Sequence, residues 1–275
     1  MKFTKMHGCG NDYVYVSLFD EEVPNPEKTS IEVSDRHFGI GSDGLIMIGP
    51  SDVADFRMHM YNADGSRGKM CGNGIRCVAK FVYDKKMTDK EVITVETDAG
   101  IKTLELNVKD GVCETIKVDM GAPILTPSEI PVKFDGERMV AESVVVDGKS
   151  YEMTAVSMGN PHCIIFVDDV KPLNLIQDGP AFEKNPIFPE GVNTEFIHVI
   201  SRNEIDMRVW ERGSGETFAC GTGACASVVA SVLNGKCDES VKVHLLGGDL
   251  DIVYDRDKNT VFMTGPATIV FEGEI

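Results

Sequence analysis

The sequence has no uninterrupted apolar run of the roughly 18 residues that a membrane-spanning helix needs. The N-terminus, MKFTKMHGCGNDY, has basic residues but no apolar stretch behind them, so we expect no signal peptide and a cytoplasmic protein. Positive charge is scarce: 27 lysines and arginines stand against 44 aspartates and glutamates, a net charge of −17. Such a chain repels phosphate backbones and anionic lipid, which argues against a nucleic-acid or membrane partner.

The spacing C-x-x-C is also missing, although the chain has eight cysteines. Its absence argues against the common structural zinc sites and against thioredoxin-like redox centres. Each cysteine is therefore expected to be a small buried apolar residue unless a specific argument gives it another role.

The remaining composition is that of a globular protein. Hydrophobic residues make up 42% and charged residues 26% of 275 residues, which excludes a disordered chain. The length allows two domains or one large one, with enough residues for a large core.

The chain contains an internal repeat. MYNADGSRGKMCGNG resembles VWERGSGETFACGTG, and Cys71 matches Cys220 at an offset of 149 residues. The same offset aligns GNDYVYV with GNPHCIIFV, and it matches these further pairs: Asn11 with Asn160, Tyr13 with His162, Tyr61 with Trp210, Asn62 with Glu211, and Val92 with Val241. Matches in one register along both halves of the chain predict two homologous halves.

Both halves show the same order of local patterns. FRMHMY and IDMRVW alternate and are rich in β-formers, which predicts strands. After a Gly-rich turn that carries the cysteine, GIRCVAKFVYDKK and GACASVVASVLNGK predict helices, the second ending near Gly235. We expect an α/β (α+β) protein of two pseudo-symmetric domains, residues 1–118 with 263–275 and residues 119–262, the last strand returning to the first half.

CGNG and CGTG each place a thiol where a helix begins. Free N–H groups and the helix dipole favour a thiolate there, so we expect a lowered thiol pKa, and they can also hold a carboxylate. Two equivalent thiols facing each other across a cleft suit proton removal from a carbon beside a carboxylate. One thiolate takes the proton, the other thiol protonates the opposite face, and the configuration inverts without a pyridoxal cofactor.

Four longer runs resemble the diaminopimelate epimerase family: KMHGCGNDYV, NADGSRGKMCGNGIRC, MGNPHCIIFV and WERGSGETFACGTGACAS. The resemblance implies two similar domains, each a mixed sheet or barrel curled around a central helix, with the active site in the interdomain cleft. It implies a homodimer that interconverts L,L- and meso-diaminopimelate for lysine and peptidoglycan precursor synthesis, with no cofactor and no metal.

The resemblance also implies roles for individual residues. Cys71 and Cys220 are the acid/base pair, and His162 and Glu211 tune their pKa values. Arg212 is expected to bind the distal carboxylate of the substrate. The other implied substrate-binding residues are four asparagines and four residues with backbone amides: Asn11, Asn62, Asn160 and Asn193, and Gly72, Asn73, Gly221 and Thr222.

The chain departs from the family pattern at Gly44, where many relatives carry Gln. A side-chain contact is therefore missing there, and Ser42 or Asp43 are candidates to replace it.

Three other interpretations stay open. A racemase of another amino acid, such as proline, would use the same two-thiol chemistry, although Arg212 and the asparagines favour a substrate polar at both ends. A thiol redox or metal-binding protein would use Cys71 and Cys220, and a metal content assay would identify the metal-binding case. A non-catalytic binding protein for a diamino acid would fail a proton-exchange assay.

Overall fold

A computed structural model describes residues 1–275. Its strands are β1 (Lys2–Gly8), β2 (Asn11–Ser17), β3 (Gly44–Gly49), β4 (Phe56–Asn62), β5 (Arg67–Gly68), β6 (Val92–Thr97), β7 (Gly100–Lys109), β8 (Val112–Gly121), β9 (Glu142–Val146), β10 (Lys149–Ser157), β11 (Pro161–Phe166), β12 (Asn193–Ser201), β13 (Glu204–Glu211), β14 (Gly215–Glu216), β15 (Ser240–Leu245), β16 (Gly248–Asp255), β17 (Thr260–Pro266) and β18 (Thr268–Glu274). The helices are α1 (Pro26–Ser34), α2 (Gly72–Asp84), α3 (Leu175–Glu183) and α4 (Gly221–Leu233), with a 3₁₀ turn at Pro127–Glu129.

The chain divides into two compact units. Unit 1 contains Met1–Asp119 and Thr264–Ile275, and unit 2 contains Met120–Met263. The expected bounds, 1–118 with 263–275 and 119–262, lie one residue away from these.

In unit 1 a mixed sheet surrounds α2. Strand β18 lies antiparallel to β1, which pairs with β2; β2 and β3 are parallel, β3 and β4 antiparallel, and β4 and β6 parallel. Antiparallel pairing then continues from β6 to β7 and from β7 to β8. Helix α2 is buried from Gly72 to Val82 and contacts β1, β2 and β7. A helix buried on all faces is a core helix, so the sheet curls around it.

Unit 2 has the same plan around α4. Strands β9, β10 and β11 are antiparallel, β11 and β12 parallel, β12 and β13 antiparallel, β13 and β15 parallel, and β15 and β16 antiparallel. Helix α4 packs against β10, β11, β12 and β16, and its residues from Gly223 to Ser231 are buried. The mixed α+β architecture predicted from the sequence is confirmed.

The strand registers around the two helices coincide at the offset of the sequence repeat. In unit 1, Leu45 lies opposite Val14 and Tyr61. In unit 2, Thr194 lies opposite Cys163 and Trp210, and each of these residues is 149 positions further along the chain. Residues that lie 149 positions apart are therefore structurally equivalent in the strands that lead to each helix.

The two central helices also end alike. The N–H of Gly235, at φ 67°, donates to the carbonyl of Val232 just after α4, as the sequence predicted for this helix end. After α2 the equivalent residue is Lys86, at φ 61°, whose N–H donates to Tyr83. None of the helices has the length and apolar character needed to cross a membrane.

Candidate active site

Each candidate thiol caps the N-terminus of its unit's central helix. Cys71 and Cys220 have extended backbones, with φ of −130° and −116°. The Cys71 Sγ accepts the N–H of Gly74 at 3.3 Å, and the Cys220 Sγ accepts the N–H of Gly223 at 3.4 Å. Two equivalent capping geometries thus present one thiol each at the positive end of a buried helix.

An amide side chain contacts Cys71. Its thiol donates to Asn11 Oδ1 at 3.2 Å, and Asn11 Nδ2 donates to Asp43 Oδ2 at 2.7 Å. Asp43 also accepts the Asp12 N–H and pairs with Arg36. The carboxylate of Asp43 therefore turns the Asn11 amide so that its oxygen faces the thiol.

Tyr13 is a second neighbour of Cys71. Burial, followed by the charge of Cys71, raises the pKa of the Tyr13 phenol well above its usual value, and the two side chains are within hydrogen-bonding reach. Tyr13 thus remains a neutral phenol beside the first thiol.

The space next to Gly44 is already filled. A Cβ at this position would lie 2.1 Å from the carbonyl oxygen of Tyr61 and 2.9 Å from Cε1 of Tyr13. A backbone oxygen at that distance cannot yield as a flexible side chain could, so this chain needs glycine here. Of the two candidates to replace the missing contact, Asp43 bonds Asn11, whereas Ser42 donates to the Gly44 carbonyl.

Cys220 lies in a different electrostatic environment. It is 5% exposed, its Sγ is 3.5 Å from Thr222 Oγ1, and Glu211 is within hydrogen-bonding reach. Burial, followed by the negative charges of Glu211 and Glu195, raises its pKa well above the usual thiol value. The expectation of a lowered pKa is wrong for Cys220, because the Gly223 N–H acts in that direction but burial outweighs it. Cys220 is therefore held as a protonated thiol.

His162 lies behind this thiol with both ring nitrogens engaged. Its Nδ1 is 2.7 Å from Glu195 Oε1, and its Nε2 is 3.0 Å from Asn160 Oδ1. Asn160 Nδ2 in turn donates to Thr222 Oγ1 at 3.3 Å. The result is a hydrogen-bonded chain that runs from a buried carboxylate to the first turn of α4.

Glu211 is the second carboxylate near Cys220. The hydroxyl of Thr217 donates to its Oε1. Burial, with a smaller contribution from the charge of Glu195, raises the pKa of the Glu211 carboxyl. A raised pKa favours the protonated form of this carboxyl more than in an exposed glutamate.

The remaining candidate binding side chains are held by the protein itself. Asn62 donates to Ser66 Oγ at 2.9 Å. Asn193 donates to the Pro161 carbonyl at 3.0 Å and accepts the backbone N–H of Arg212 at 2.8 Å. Asn193 thereby fixes the backbone from which the Arg212 guanidinium extends.

Four backbone candidates, Gly72, Asn73, Gly221 and Thr222, form the first turns of α2 and α4. This is the end of a helix at which N–H groups and the helix dipole bind anions. The local folds are therefore suited to hold a carboxylate beside each thiol.

Sequence reasoning missed Glu195, which is 0% exposed. Its segment, GVNTEFIHVI, reads as an ordinary strand, but the 149-residue offset pairs Glu195 with the apolar Ile46, a mismatch that could have been noticed. The ligand atoms of His162, Glu195 and Cys220 lie within 4.8 Å of one another, a group that could hold a metal ion. The equivalent positions in unit 1 are Tyr13, Ile46 and Cys71, which lack the imidazole and the carboxylate.

Comparison with known proteins identifies the family. The diaminopimelate epimerase family model matches residues 3–126 and 154–270. The diaminopimelate epimerase of Agathobacter rectalis is 62% identical over 100% of this chain and 99% of its own, and that of Acetivibrio thermocellus is 58% identical over 100% and 98%. A Bacillus anthracis phenazine biosynthesis protein of the PhzF family has a TM-score of 0.71 at 17% identity, covering 100% of this chain and 98% of its own, which shows a shared fold alone. With the family model over most of its length and close relatives over all of it, the chain belongs to the diaminopimelate epimerase family.

Proposed function

We propose that this chain interconverts L,L- and meso-diaminopimelate by two-base proton transfer between Cys71 and Cys220. The names of the relatives support the substrate. One structural observation carries the chemistry: two thiols occupy the same helix-capping position but have unlike neighbours. Two acid/base groups that must hold different protonation states at the same pH need such unlike surroundings.

In the proposed reaction Cys71, which as a thiol donates to Asn11 Oδ1, first releases its S–H proton to solvent, and the resulting thiolate removes the α-proton from one face. The electron pair of the C–H bond remains on the α-carbon and delocalises into the adjacent carboxylate. Cys220, whose pKa is raised by burial, then gives its S–H proton to the opposite face and becomes a thiolate. The return reaction reverses these roles, and exchange with water restores the starting protonation states.

The first turns of α2 and α4 are the groups that we propose stabilise the charge on the substrate. Backbone N–H groups of Gly72, Asn73, Gly221 and Thr222 would bind the α-carboxylate as it gains enolate character. Because these dipoles and the two thiols supply acid, base and charge stabilisation, the reaction requires no pyridoxal cofactor and no metal.

Arg212 is proposed to select a substrate with a second carboxylate. Its Nη1 donates to the Glu190 carbonyl at 2.9 Å, which leaves further N–H donors of the guanidinium for a ligand. Asn11, Asn62, Asn160 and Asn193 are proposed as further binding residues, of which Asn193 acts through the backbone of Arg212. Proline has only one carboxylate and would leave this arginine unused.

We also propose that the protein works in the cytoplasm and that it is a homodimer, the second as its family resemblance implies. Size-exclusion chromatography with light scattering would give the oligomeric state.

The function is tested by incubating the purified protein with meso-diaminopimelate in deuterated water and following the α-proton signal by NMR. We expect loss of this signal, with deuterium at the inverted carbon of the product and, at initial rates, protium in the recovered substrate. A thiol that waits to donate has already exchanged with solvent, whereas the abstracting thiolate carries the substrate's own proton.

L-Proline serves as the control substrate and should show no exchange. Exchange of proline without exchange of diaminopimelate would assign the chain to another racemase activity. Binding of diaminopimelate without exchange would indicate a binding protein instead of an enzyme.

A further inference from the structure

Glu195 is a buried carboxylate to which the proposed function assigns no role. Glu195 lies on β12 and His162 lies on β11, and the side chains of both are 0% exposed. Glu195 Oε1 is 2.7 Å from His162 Nδ1, and Glu195 Oε2 is buried without a hydrogen-bond partner. Burying a charged side chain costs free energy unless the charge is paired. We therefore expect this carboxylate to have a role.

The contacts of His162 fix the orientation of its ring. Asn160 directs its Nδ2 to Thr222, so its Oδ1 faces the ring. His162 Nδ1 is hydrogen-bonded to Glu195 Oε1. These two hydrogen bonds fix the tilt of the ring and hold Nε2 on Asn160.

The equivalent position in unit 1 shows that the fold does not need a carboxylate here. A Cβ on Gly74 would lie 2.6 Å from Cδ1 of Ile46, and a Cβ on Gly223 would lie 2.5 Å from Oε1 of Glu195. Both side chains thus support the first turn of a central helix from the same strand position. Unit 2 uses a charged side chain where an alkyl chain fulfils the packing role in unit 1.

We propose that Glu195 is a positioning residue for proton transfer at Cys220: its carboxylate fixes the His162 ring on Asn160 and adds a negative charge behind the thiol, which favours a protonated Cys220 in the free enzyme. The proposal rests on the two-thiol reaction above. It assigns Glu195 no contact with substrate.

The electrostatic surroundings of Cys220 agree with this assignment. Three ionisable groups face the thiol: Glu211 from β13, Glu195 from β12 and His162 from β11. The charges of Glu211 and Glu195 both raise the pKa of Cys220, after the larger effect of burial. Removing the Glu195 charge lowers that pKa, because a negative neighbour disfavours the thiolate.

The test compares Glu195→Gln and Glu195→Ile with the unchanged protein, measuring epimerisation over a range of pH in both directions. Gln keeps the volume and one hydrogen bond to His162, whereas Ile reproduces the residue of unit 1. For Gln we expect kcat to fall about tenfold with KM within about twofold. We also expect the alkaline limb of the kcat/KM profile, where Cys220 loses its proton, to move to lower pH. Ile should lose more than Gln, and both directions must lose the same factor in kcat/KM because the equilibrium constant is fixed.

Glu204→Gln is the matched control. Glu204 accepts from His244 Nε2 at 2.8 Å in another histidine–carboxylate pair of unit 2, which is partly exposed to solvent. This variant should keep both kcat and the pH profile. Circular dichroism and thermal unfolding check the fold of every variant.

The outcomes separate the two proposals. If the unchanged protein does not epimerise diaminopimelate, the proposed function fails before Glu195 is tested. If it does epimerise, then an unshifted alkaline limb or an unchanged kcat in Glu195→Gln overturns the role of Glu195 alone. A Gln variant that does not fold would show that Glu195 is required for structure, and would overturn the positioning role as well.

Discussion

The neighbours of Cys71 are an amide, Asn11, and a phenol, Tyr13, while an alkyl chain, Ile46, supports the helix turn. Around Cys220, unit 2 places an imidazole and two carboxylates at the equivalent or adjacent positions. The backbone of the two sites is the same, down to the helix cap and the register of the adjoining strands. The difference between the two thiols therefore comes from side chains and their burial.

This comparison shows that a helix N-terminus does not by itself make a thiol acidic. The Gly223 N–H and the dipole of α4 favour a Cys220 thiolate, but the buried site and its carboxylates oppose it and raise the pKa of the thiol. A duplicated fold can thus place two thiols at equivalent helix caps, and substitution at a few neighbouring positions can raise the pKa of one of them.

Replacing either thiol gives the largest expected effect, because the comparison predicts that both are essential in spite of their unlike neighbours. Cys71→Ala and Cys220→Ala should each lower epimerisation by at least about a thousandfold, since one face of the α-carbon then lacks its acid or base. Steady-state rates from both isomers measure this loss. Cys237→Ala is the control, because this thiol is buried with its Sγ 3.7 Å from the Ser201 carbonyl.

Near-normal turnover in either Cys71→Ala or Cys220→Ala would contradict the two-base scheme. The unlike surroundings of the two thiols would then have no role in catalysis.

Arg212 is a second difference between the two units, because the equivalent residue in unit 1 is Ala63. Replacing Arg212 tests whether this difference matters for substrate binding. Lysine keeps the charge but loses the planar group that binds a carboxylate through two hydrogen bonds. Such charge-assisted bonds contribute roughly 1.5–3 kcal/mol each, so Arg212→Lys should lower kcat/KM for diaminopimelate at least about tenfold. Ala63→Ser should leave it unchanged. Equal values for the Lys variant and the unchanged protein would place Arg212 outside the binding site.

Gly223 and Gly74, in the first turns of α4 and α2, allow a direct test of how the two units differ. In Gly223→Ala the new methyl group meets Glu195 Oε1 at 2.5 Å, an atom already hydrogen-bonded to His162. In Gly74→Ala it meets the flexible end of Ile46 at 2.6 Å. We expect kcat to fall about fivefold to tenfold in the first variant and about twofold in the second, because only the first displaces a polar group behind a thiol.

Equal losses in the Gly223 and Gly74 variants would show that packing alone, and not the charged group of unit 2, determines the rate. Thermal unfolding of both variants separates a loss of stability from a loss of rate.

The smallest expected effect is that of metal removal. His162, Glu195 and Cys220 could hold a metal ion, and unit 1 has no equivalent group. We expect dialysis against EDTA to leave the rate unchanged, because both nitrogens of His162 are engaged in hydrogen bonds on which the proposed role of Glu195 depends. Loss of activity that returns with one added metal would support the metal-binding interpretation.

Much of the local structure could be predicted from sequence patterns. The alternation in FRMHMY and IDMRVW predicted the strands β4 and β13, and the helical runs after each CGxG predicted α2 and α4. These patterns are local, because side chains alternate along a strand and recur every 3.6 residues along a helix. The direction of the Cys220 pKa could not be predicted in this way, since burial depends on strands that lie far away in the chain.

The sequence by itself determined the family, the repeat at an offset of 149 residues and the two cysteines at helix starts, because each is encoded in a contiguous run of residues. Only the tertiary structure decided that Asp43 turns Asn11 toward Cys71 and that Glu195 is buried against His162. Both contacts join residues more than 30 positions apart. They exist because parallel pairing of β2 with β3, and of β11 with β12, brings the starts of two distant strands side by side. A strand pattern shows that one face is buried, but the folded sheet determines which partners a side chain on that face meets.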